Sequence, residues 1–441
     1  MRVVDEDGHP GRVALLRPLR LRDFRLLWTG MTLSLLGDGV LLVAMAWQAY
    51  DLVNRPVAMS LVGVALTAPQ VALLLVGGVV ADRFERRRVM LLADAVRGVC
   101  LALLAVLALT QTLEFWHLLA VAAVYGAAAG FFMPAFDAIV PEIVPAERLP
   151  EANALDQFAR PAALWLAGPA LGGILVGTAG AGWAFALDAA TFAVSVACLA
   201  RVTPRPRQRA AAAVRMTVRG AWAETREGFA FVRRHSWLWA TFIAASFTYL
   251  LFLGPTEVLL PYLVKNDLGG SAHDLGVILA AGGVGALLAA LVIGQAGVPR
   301  RVMSFTYLAW ALGTLAVAGY GLASSGWQLM LVAAVVSGCE AVGAVAWTTT
   351  KQRRVPAELM GRVSSLDWLI STALVPVSFA LTAPVAAAVG VRSALVGAGV
   401  LGAAVTLAFL FVPGVRAPER ASASQPDAEP TTEPALVEQV A

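Results

Sequence analysis

The sequence predicts an all-α membrane protein in which twelve transmembrane helices form two pseudo-symmetric six-helix halves. Of its 441 residues, 59% are hydrophobic and 14% are charged, whereas about half of a soluble domain is apolar and about a quarter is charged. Apolar stretches of about twenty residues, enough to cross a hydrocarbon core of about 30 Å, recur twelve times along the chain. Basic residues gather in alternate connections between these stretches.

The twelve stretches are longer and more uniformly apolar than barrel strands, which alternate in polarity over about ten residues. Only helices and closed barrels satisfy the backbone within lipid, so each stretch is predicted to be a helix. Numbered 1 to 12 in chain order, the predicted helices cover residues 26–50, 57–81, 89–110, 116–136, 155–178, 181–200, 237–263, 273–297, 301–323, 326–350, 362–388 and 391–413.

The basic residues predict which connections face the cytoplasm. Arginine and lysine are frequent in the N-terminal segment, after helices 2, 6, 8 and 10, and after helix 12. The opposite connections contain only Arg55, Lys265 and Arg392. Because positively charged loops stay on the cytoplasmic side, both termini are predicted to be cytoplasmic in the inner membrane of a bacterium. This placement explains the net charge of +4 without nucleic-acid binding.

The longest polar interruption, residues 201–236, divides the chain into an N-terminal half, 26–200, and a C-terminal half, 237–413. This linker is predicted to include an amphipathic helix at the membrane surface. Residues 1–25 form a cytoplasmic segment. The tail, 414–441, is rich in proline, serine, threonine and glutamate and is predicted to be disordered.

Two internal repeats relate the halves to each other. The stretch VPAERLPEANALD at 144–156 matches VPAELMGRVSSLD at 355–367, and RRVM at 87–90 recurs at 300–303. Parallel repeats of this kind predict two halves related by an axis along the membrane normal, with substrate bound between them near the midplane.

The connection GGVVADRFERRRVM, residues 77–90, resembles the signature loop of the major facilitator superfamily. Glu85 stands where that family usually has glycine. The positions that match the family pattern are Gly78, Asp82, Arg83, Arg86, Arg87 and Arg88. The resemblance implies a membrane transporter that works by alternating access.

A latch on the cytoplasmic side is predicted from these residues. Gly78 would let helix 2 approach a neighbouring helix closely, and Asp82 would accept hydrogen bonds from a helix N-terminus of the other half. Arg83 and Arg86 would pair with a carboxylate across this face, for which Asp137 at the end of helix 4 is the candidate. The alternative interpretation is a solvated basic loop.

In predicted helix 5, GPALGG at 168–173 resembles a motif of the antiporter branches of the superfamily. Gly168, Gly172 and Gly173 form a small-residue face for tight packing, and Pro169 is expected to bend the helix.

Further stretches resemble the branch that contains macrolide-efflux and enterobactin-exporter proteins. They are FMPAFDAIVPEIVPAERLPEANAL at 132–155, FALDAATFAVS at 185–195 and EGFAFVRRH at 227–235. The resemblance implies export of a small amphipathic molecule, driven by proton entry.

Carboxylates within the spans are candidates for proton or substrate binding, because charge is costly in the membrane. Asp38 lies about 12 residues, or about 18 Å, from either end of helix 1. On the same helical face lie Met31, Ser34, Leu41 and Met45, which would form an adaptable lining for a ligand. A desolvated carboxyl group can carry a proton; the alternative is a packing aspartate satisfied by its neighbours.

Two other carboxylates are candidates for the same role. Glu340 lies near the middle of helix 10, with pairing to a buried donor as the alternative. Glu257 lies between Pro255 and Pro261 in the outer half of helix 7, where broken helical hydrogen bonds could gate a cavity. Asp188 in helix 6 is predicted to make a structural hydrogen bond.

Two arginines within the spans are predicted to make structural ion pairs near the cytoplasmic edge, Arg97 with Asp94 and Arg160 with Asp156. Many efflux relatives carry an arginine in helix 4. Residues 116–136 contain none, so the proton-coupling route is left open.

The sequence contains no GxxxxGK[ST] motif for ATP, no metal-ligand spacing and no nucleophile with a paired base. We therefore expect no cofactor, no metal and no enzymatic activity. The combined prediction is a monomeric, proton-coupled exporter of a drug-like or siderophore-like compound. The alternatives are a proton-coupled importer, a dedicated metabolite transporter and a transport-dead receptor.

Overall fold

The computed structural model describes residues 14–145, 148–203 and 218–419. Within these residues it has twelve helices long and apolar enough to cross a membrane, which confirms the predicted number of spans. They are α1 Arg22–Leu52, α2 Pro56–Arg83, α3 Arg86–Leu109, α4 Phe115–Ile143, α5 149–179, α6 Ala181–Arg201, α7 Ser236–Asp267, α8 Ala272–Ala296, α9 Val302–Leu322, α10 Gly326–Arg354, α11 357–389 and α12 Val391–Phe409.

Two of these helices contain wide π-helical turns next to prolines. In α5 the turn Ala162–Ala167 follows Pro161 and ends two residues before Pro169, and in α7 the turns Pro255–Leu259 and Leu263–Asp267 lie on either side of Pro261. Proline lacks an amide hydrogen and its ring clashes with the preceding turn. A π-helical turn absorbs this clash without ending the helix.

The two halves repeat each other in structure as they do in sequence. Helices α4 and α10 each contain 29 residues and are followed by the two VPAE stretches. The last helix of each half begins after a glycine with positive φ, +90° at Gly180 and +87° at Gly390. Positions in the two halves can therefore be matched: from α3 to α9 by the RRVM repeat, from α4 to α10 by the VPAE repeat, and from α6 to α12 by these glycines.

The apolar core is divided differently at the two ends of the bundle. The end where α1 begins and α12 finishes also carries the arginines between α2 and α3, and we call it the basic face. Toward this face each half has its own apolar cluster, built around residues such as Met90 and Ile143 in one half and Met303 and Leu410 in the other. Toward the opposite face a single cluster contains residues of both halves.

Polar contacts also join the halves at the opposite face, between the end of α1 and the π-helical part of α7. Tyr50 Oη donates to the carbonyl oxygen of Val258 at 2.6 Å. The other contacts are a 2.7 Å hydrogen bond between the Asn54 and Asn266 side chains and an ion pair between Asp51 and Lys265. The two halves are thus closed against each other at this face.

The polar linker contains the predicted helix, Val218–Arg234. It is tied to α11 by an ion pair of 2.6 Å between Glu227 and Arg362. Residues 1–13 and 204–217 lie outside the described residues, as do the corresponding parts of the predicted N-terminal segment and linker.

The tail that was predicted to be disordered from residue 414 begins with an ordered segment. Val415 is fully buried in the apolar cluster of the C-terminal half, and Arg354 Nη2 donates to the carbonyl oxygen of Pro418 at 2.9 Å. The prediction is wrong for 414–419, because proline-rich composition did not reveal this buried valine. Residues 420–441 lie outside the described residues.

Candidate functional site

A group of buried and half-buried polar side chains lies inside the N-terminal half, where α1, α3, α4 and α6 meet. Hydrogen bonds, ion pairing and close packing connect its members. We call it the polar cluster, and its members are Asp38, Asp94, Arg97, Tyr125, Asp188, Thr191 and Ser195.

The Asp94–Arg97 ion pair lies on one face of α3, three residues apart, and was expected from the sequence. Its expected position near the cytoplasmic edge is wrong, because Arg97 is the twelfth of the 24 residues of α3. The Asp94 carboxylate is fully buried and its Oδ2 accepts a 2.6 Å hydrogen bond from Ser195 Oγ of α6. A buried ion pair needs such additional hydrogen bonds to offset its desolvation.

Aromatic rings surround the buried guanidinium group of Arg97. Its central carbon lies 4.5 Å from the ring centroid of Phe132, 4.6 Å from that of Phe192 and 5.6 Å from that of Tyr125. The negative faces of aromatic rings attract cations, and this attraction is larger where water is excluded. The rings and Asp94 together hold a positive charge at mid-span.

Asp38 of α1 is half-buried and accepts a short hydrogen bond from the Tyr125 hydroxyl of α4. It also interacts electrostatically with Arg97 and Asp94 of the ion pair. The sequence predicted its mid-span position but not these partners. Of the four residues expected to line a ligand site beside it, Met31, Ser34 and Met45 are buried in the packing of α1, whereas Leu41 is half-buried.

Asp188 of α6 is fully buried. Its Oδ1 accepts a 3.1 Å hydrogen bond from Thr191 Oγ1, so the predicted structural hydrogen bond is present. The carboxylate packs on Gly37 of α1, where an added Cβ would overlap both Asp188 and Thr191. This close contact places Asp188 against α1 one residue before Asp38, and the two carboxylates interact electrostatically.

The other two candidate carboxylates lie in the C-terminal half, apart from the polar cluster. Glu257 is half-buried in a π-helical turn of α7 and interacts electrostatically with Tyr320. Glu340 is half-buried in α10 and interacts with Tyr249 of α7. Among the described residues, neither glutamate forms a hydrogen bond or an ion pair with the polar cluster, so their roles remain predictions.

The GPALGG motif lies between α1 and the other half of the protein. Added Cβ atoms at Gly168 and Gly172 would overlap the α1 backbone, at Gly39 and Val40 respectively. At Gly173 an added Cβ would lie 2.9 Å from the Cα of Gly276 in α8. The motif thus brings the backbones of both halves together. The π-helical turn Ala162–Ala167 ends two residues before Pro169, on the side where a proline ring clashes with the helix, so the distortion expected from Pro169 lies in the turn that precedes it.

In the signature loop, the expected close approach at Gly78 is wrong. Among the described residues, nothing lies within 4 Å of a Cβ added at Gly78, whereas one added at Gly77 would overlap the carbonyl oxygen of Gly130 in α4. Both glycines lie on α2, one residue apart, so they face different directions. The sequence motif could not show which one meets the neighbouring helix.

The arginines of this loop contact groups of their own half. Arg86 Nη1 forms an ion pair of 2.7 Å with Glu142 near the end of α4. Arg87 donates to the carbonyl oxygens of Leu199 and Ala200 at the end of α6, at 2.8 and 2.5 Å. The latch remains a prediction, because the side chains of Asp82, Arg83 and Asp137 lie outside the part of the chain that the structure describes.

Glu85, the departure from the family pattern, has a clear structural role. It pairs with Arg88 at 2.6 Å and lies 3.8 Å from Arg87. The second predicted pair of arginine and aspartate, Arg160 with Asp156, is also present, at 3.5 Å.

Sequence reasoning missed two groups of interacting side chains. Tyr125 was passed over, although a tyrosine within an apolar span needs a hydrogen-bond partner for its hydroxyl. In the C-terminal half, Asp367 accepts hydrogen bonds from Trp347 Nε1 at 2.9 Å and from Lys351 Nζ at 2.5 Å. The contact of Tyr125 with Asp38 joins α4 and α1, and the contacts of Asp367 join α11 and α10. Because each group joins different helices, spacing along one helix does not predict it.

A family model described as Transmembrane secretion effector matches residues 13–441. The chain belongs to this family of major facilitator transporters. Similar proteins are macrolide efflux protein A of Streptococcus pyogenes, 23% identical over 84% of this chain and 90% of that protein, and the enterobactin exporter EntS of Shigella boydii, 29% identical over 78% of this chain and 80% of that protein. This family member is thus a multi-pass membrane transporter whose relatives include efflux proteins.

Solved structures confirm that this transporter has the major facilitator fold. The nucleoside transporter NupG, in its D323A form, superposes with a TM-score of 0.66 at 13% identity, over 87% of this chain and 99% of that chain. A POT family transporter in complex with 5-aminolevulinic acid gives a TM-score of 0.67 at 16% identity, over 93% of this chain and 98% of that chain. At these identities the likeness extends to the fold alone.

Proposed function

We propose that this transporter exports a drug-like or siderophore-like amphipathic molecule across a bacterial inner membrane in exchange for protons. In this proposal the protein acts as a monomer, both termini are cytoplasmic, and the basic face is the cytoplasmic face. The macrolide efflux protein and the enterobactin exporter support export of compounds of this class. The distribution of basic residues supports the orientation.

The observation that carries the proton-coupling part of the proposal is the environment of Asp38. This carboxylate lies at mid-span, accepts a hydrogen bond from Tyr125 and is half-buried next to a buried ion pair. It is half-buried rather than fully enclosed, and the charged groups of Arg97 and Asp94 interact with its charge. Because it is energetically costly to place an ionisable group within the membrane, a carboxylate in such a position is a functional candidate.

The packing between the halves supports alternating access. The halves share an apolar cluster and polar contacts at the face opposite the basic one, and they have separate cores toward the basic face. We assign this arrangement to the state closed on the outer side. The outward-open state requires the contacts of Tyr50, Asn54 and Lys265 to break, and the latch on the basic face to close.

The test is accumulation of a compound panel in a pump-deficient bacterium that expresses this transporter or its Asp38→Asn variant. The panel contains ethidium, erythromycin, tetracycline and enterobactin, and each is measured with and without a protonophore. We expect at least one compound to accumulate less in cells with the unaltered protein, and both the protonophore and the variant to abolish the difference.

Glu340→Gln tests the competing candidate, because it neutralises a half-buried carboxyl group of the other half. If Asp38 carries the coupling, this variant should retain proton-driven export, and loss of export in Glu340→Gln but not in Asp38→Asn would move the coupling to Glu340. Higher accumulation in expressing cells would support an importer instead. Unchanged accumulation across the panel would contradict general drug efflux and favour a dedicated metabolite transporter or a receptor.

A further inference from the structure

The polar cluster contains more negative than positive groups. Arg97 is the cation of the cluster and three carboxylates belong to it, those of Asp38, Asp94 and Asp188. Arg97 forms its ion pair with Asp94. Two carboxylates are left: Asp38 also interacts with Arg160, whereas Asp188 shares Arg97 with Asp94, and an uncompensated charge in a site of low dielectric is costly.

Asp188 is the more buried of these two carboxylates. It is fully excluded from solvent, whereas Asp38 is half-buried. Oδ1 of Asp188 accepts its hydrogen bond from Thr191, but Oδ2 is buried without a hydrogen-bond partner among the described residues. A buried ionised oxygen without a donor carries the full desolvation cost, which a bound proton removes.

A hydrogen-bond donor of the cluster also lacks a partner. Nε of Arg97 is also buried without a hydrogen-bond partner in the described part of the chain, and Arg97 interacts electrostatically with Asp188. The cluster thus has an unused N–H donor and an unused carboxylate acceptor. This combination allows two charge arrangements. In one, Arg97 compensates the charge of Asp94 alone; in the other, it also compensates the charge of Asp188.

We propose that Asp188 binds and releases a proton during the transport cycle, as a second proton-carrying carboxyl group behind Asp38. This inference rests on the proposed proton-coupled function and adds a residue of α6 to it. The groups that interact with Asp188 are Asp38 of α1, Arg97 of α3 and Tyr125 of α4. Asp94 and Arg160 act on the same group through Asp38.

In this proposal the proton reaches Asp188 by way of Asp38. Gly37 lets the α6 carboxylate lie directly against α1, and the half-buried Asp38 is the next residue. When Asp188 loses its proton, its charge is compensated by Arg97. When Asp188 is protonated, Arg97 forms an ion pair with Asp94 alone. The proton state of Asp188 would therefore alter how α6, α3 and α1 are held together.

The experiment is infrared difference spectroscopy of the purified full-length protein between about pH 5 and about pH 9. Protonated carboxyl groups have a carbonyl stretching band that disappears on ionisation. Asp38→Asn, Asp188→Asn and the double variant are compared with the unaltered protein. We expect each single variant to lose part of the pH-dependent band and the double variant to lose more than either, since coupled groups titrate together.

A structural Asp188 would keep one proton state throughout. In that case Asp188→Asn would leave the pH-dependent band unchanged, and this result would overturn the proposal. Thr191→Val provides a second measurement that keeps the carboxyl group but removes its hydroxyl donor. If Asp188→Asn does not fold, the pH-dependent band of Thr191→Val should be shifted, and an unshifted band would contradict the proposal.

These spectra need no transported compound, so they separate this inference from the proposed function. Failure of the compound panel together with a normal Asp188 band would contradict drug export but leave two titrating carboxyl groups. Proton-driven export together with an Asp188 that does not titrate would leave the function standing and overturn only the role of Asp188.

Discussion

In the N-terminal half, α3 places the Asp94–Arg97 ion pair at mid-span, whereas the matching positions of α9 hold an aromatic pair. Tyr307 is fully buried and its hydroxyl lies 2.9 Å from Thr241 Oγ1, while Trp310 lies over Gly343, which leaves room for its indole ring. The polar cluster members Asp94, Arg97, Tyr125 and Asp188 correspond in the C-terminal half to Tyr307, Trp310, Val336 and Ala398.

This difference shows that two halves with the same helical backbone can have different side chains in their interiors. The matched glycines and helix lengths keep the backbone alike, since Gly180 and Gly390 adopt similar positive φ angles. The side chains at mid-span decide whether a half contains compensated charge or apolar and aromatic packing. We place the proposed proton coupling in the N-terminal half on this ground, although the C-terminal half has half-buried carboxylates of its own at Glu257 and Glu340.

The largest effect is expected from Arg97→Gln, which leaves the buried Asp94 carboxylate without its cation. Breaking a buried ion pair in this way costs about 3–5 kcal/mol. This loss of stability is measured as a decrease in the free energy of unfolding, with the protein in detergent and a denaturing surfactant added. Tyr307→Phe in the matched region removes only one hydroxyl and should cost about 0.5–1.5 kcal/mol.

The double variant Asp94→Asn with Arg97→Gln serves as the control for this ion pair. It removes both charges together and should be more stable than Arg97→Gln alone. Equal stability of the single and the double variant would show that Asp94 does not depend on Arg97.

An intermediate and equal effect is expected from Gly180→Ala and Gly390→Ala. Both glycines have positive φ, and no atom of the described residues lies within 4 Å of an added Cβ, so the expected cost is backbone strain, about 1–3 kcal/mol. Thermal unfolding of the two variants should give similar shifts. A large shift for one variant and none for the other would break the claim that the scaffolds match.

The smallest effect is expected from Ser371→Ala in the C-terminal half. It removes a hydroxyl donor to Asp367, but Trp347 and Lys351 still donate to that carboxylate. The loss should be about 0.5–1.5 kcal/mol in the free energy of unfolding, with proton-driven export unchanged. Loss of export in a stably folded variant would assign coupling to this half as well.

The helices were predictable because membrane spans are long apolar runs between charged connections. Asp94 and Arg97 could be paired from sequence, since residues three apart share a helical face. Their depth was misjudged, because α3 begins at Arg86, so Arg97 lies further from the loop than the position of the apolar run indicated.

The polar cluster as a whole was not predictable, because its members come from four helices. The contact of Asp38 with Tyr125 depends on how α1 and α4 pack, and that of Asp188 with Gly37 depends on how α6 approaches α1. Hydropathy predicts that these helices span the membrane, but it does not predict which helix faces contact each other. The π-helical turns of α5 and α7 were hidden for the same reason, since proline predicts a break but not its form.

The most direct test of the central claim uses purified protein in proteoliposomes, with the panel compound that is exported most strongly. Transport driven by a pH gradient and exchange of labelled for unlabelled compound without a gradient are measured for the unaltered protein and for Asp38→Asn. If Asp38 couples protons to transport, the variant should lose gradient-driven transport and retain exchange. Gradient-driven transport at the unaltered rate in Asp38→Asn would contradict the assignment of coupling to the N-terminal half.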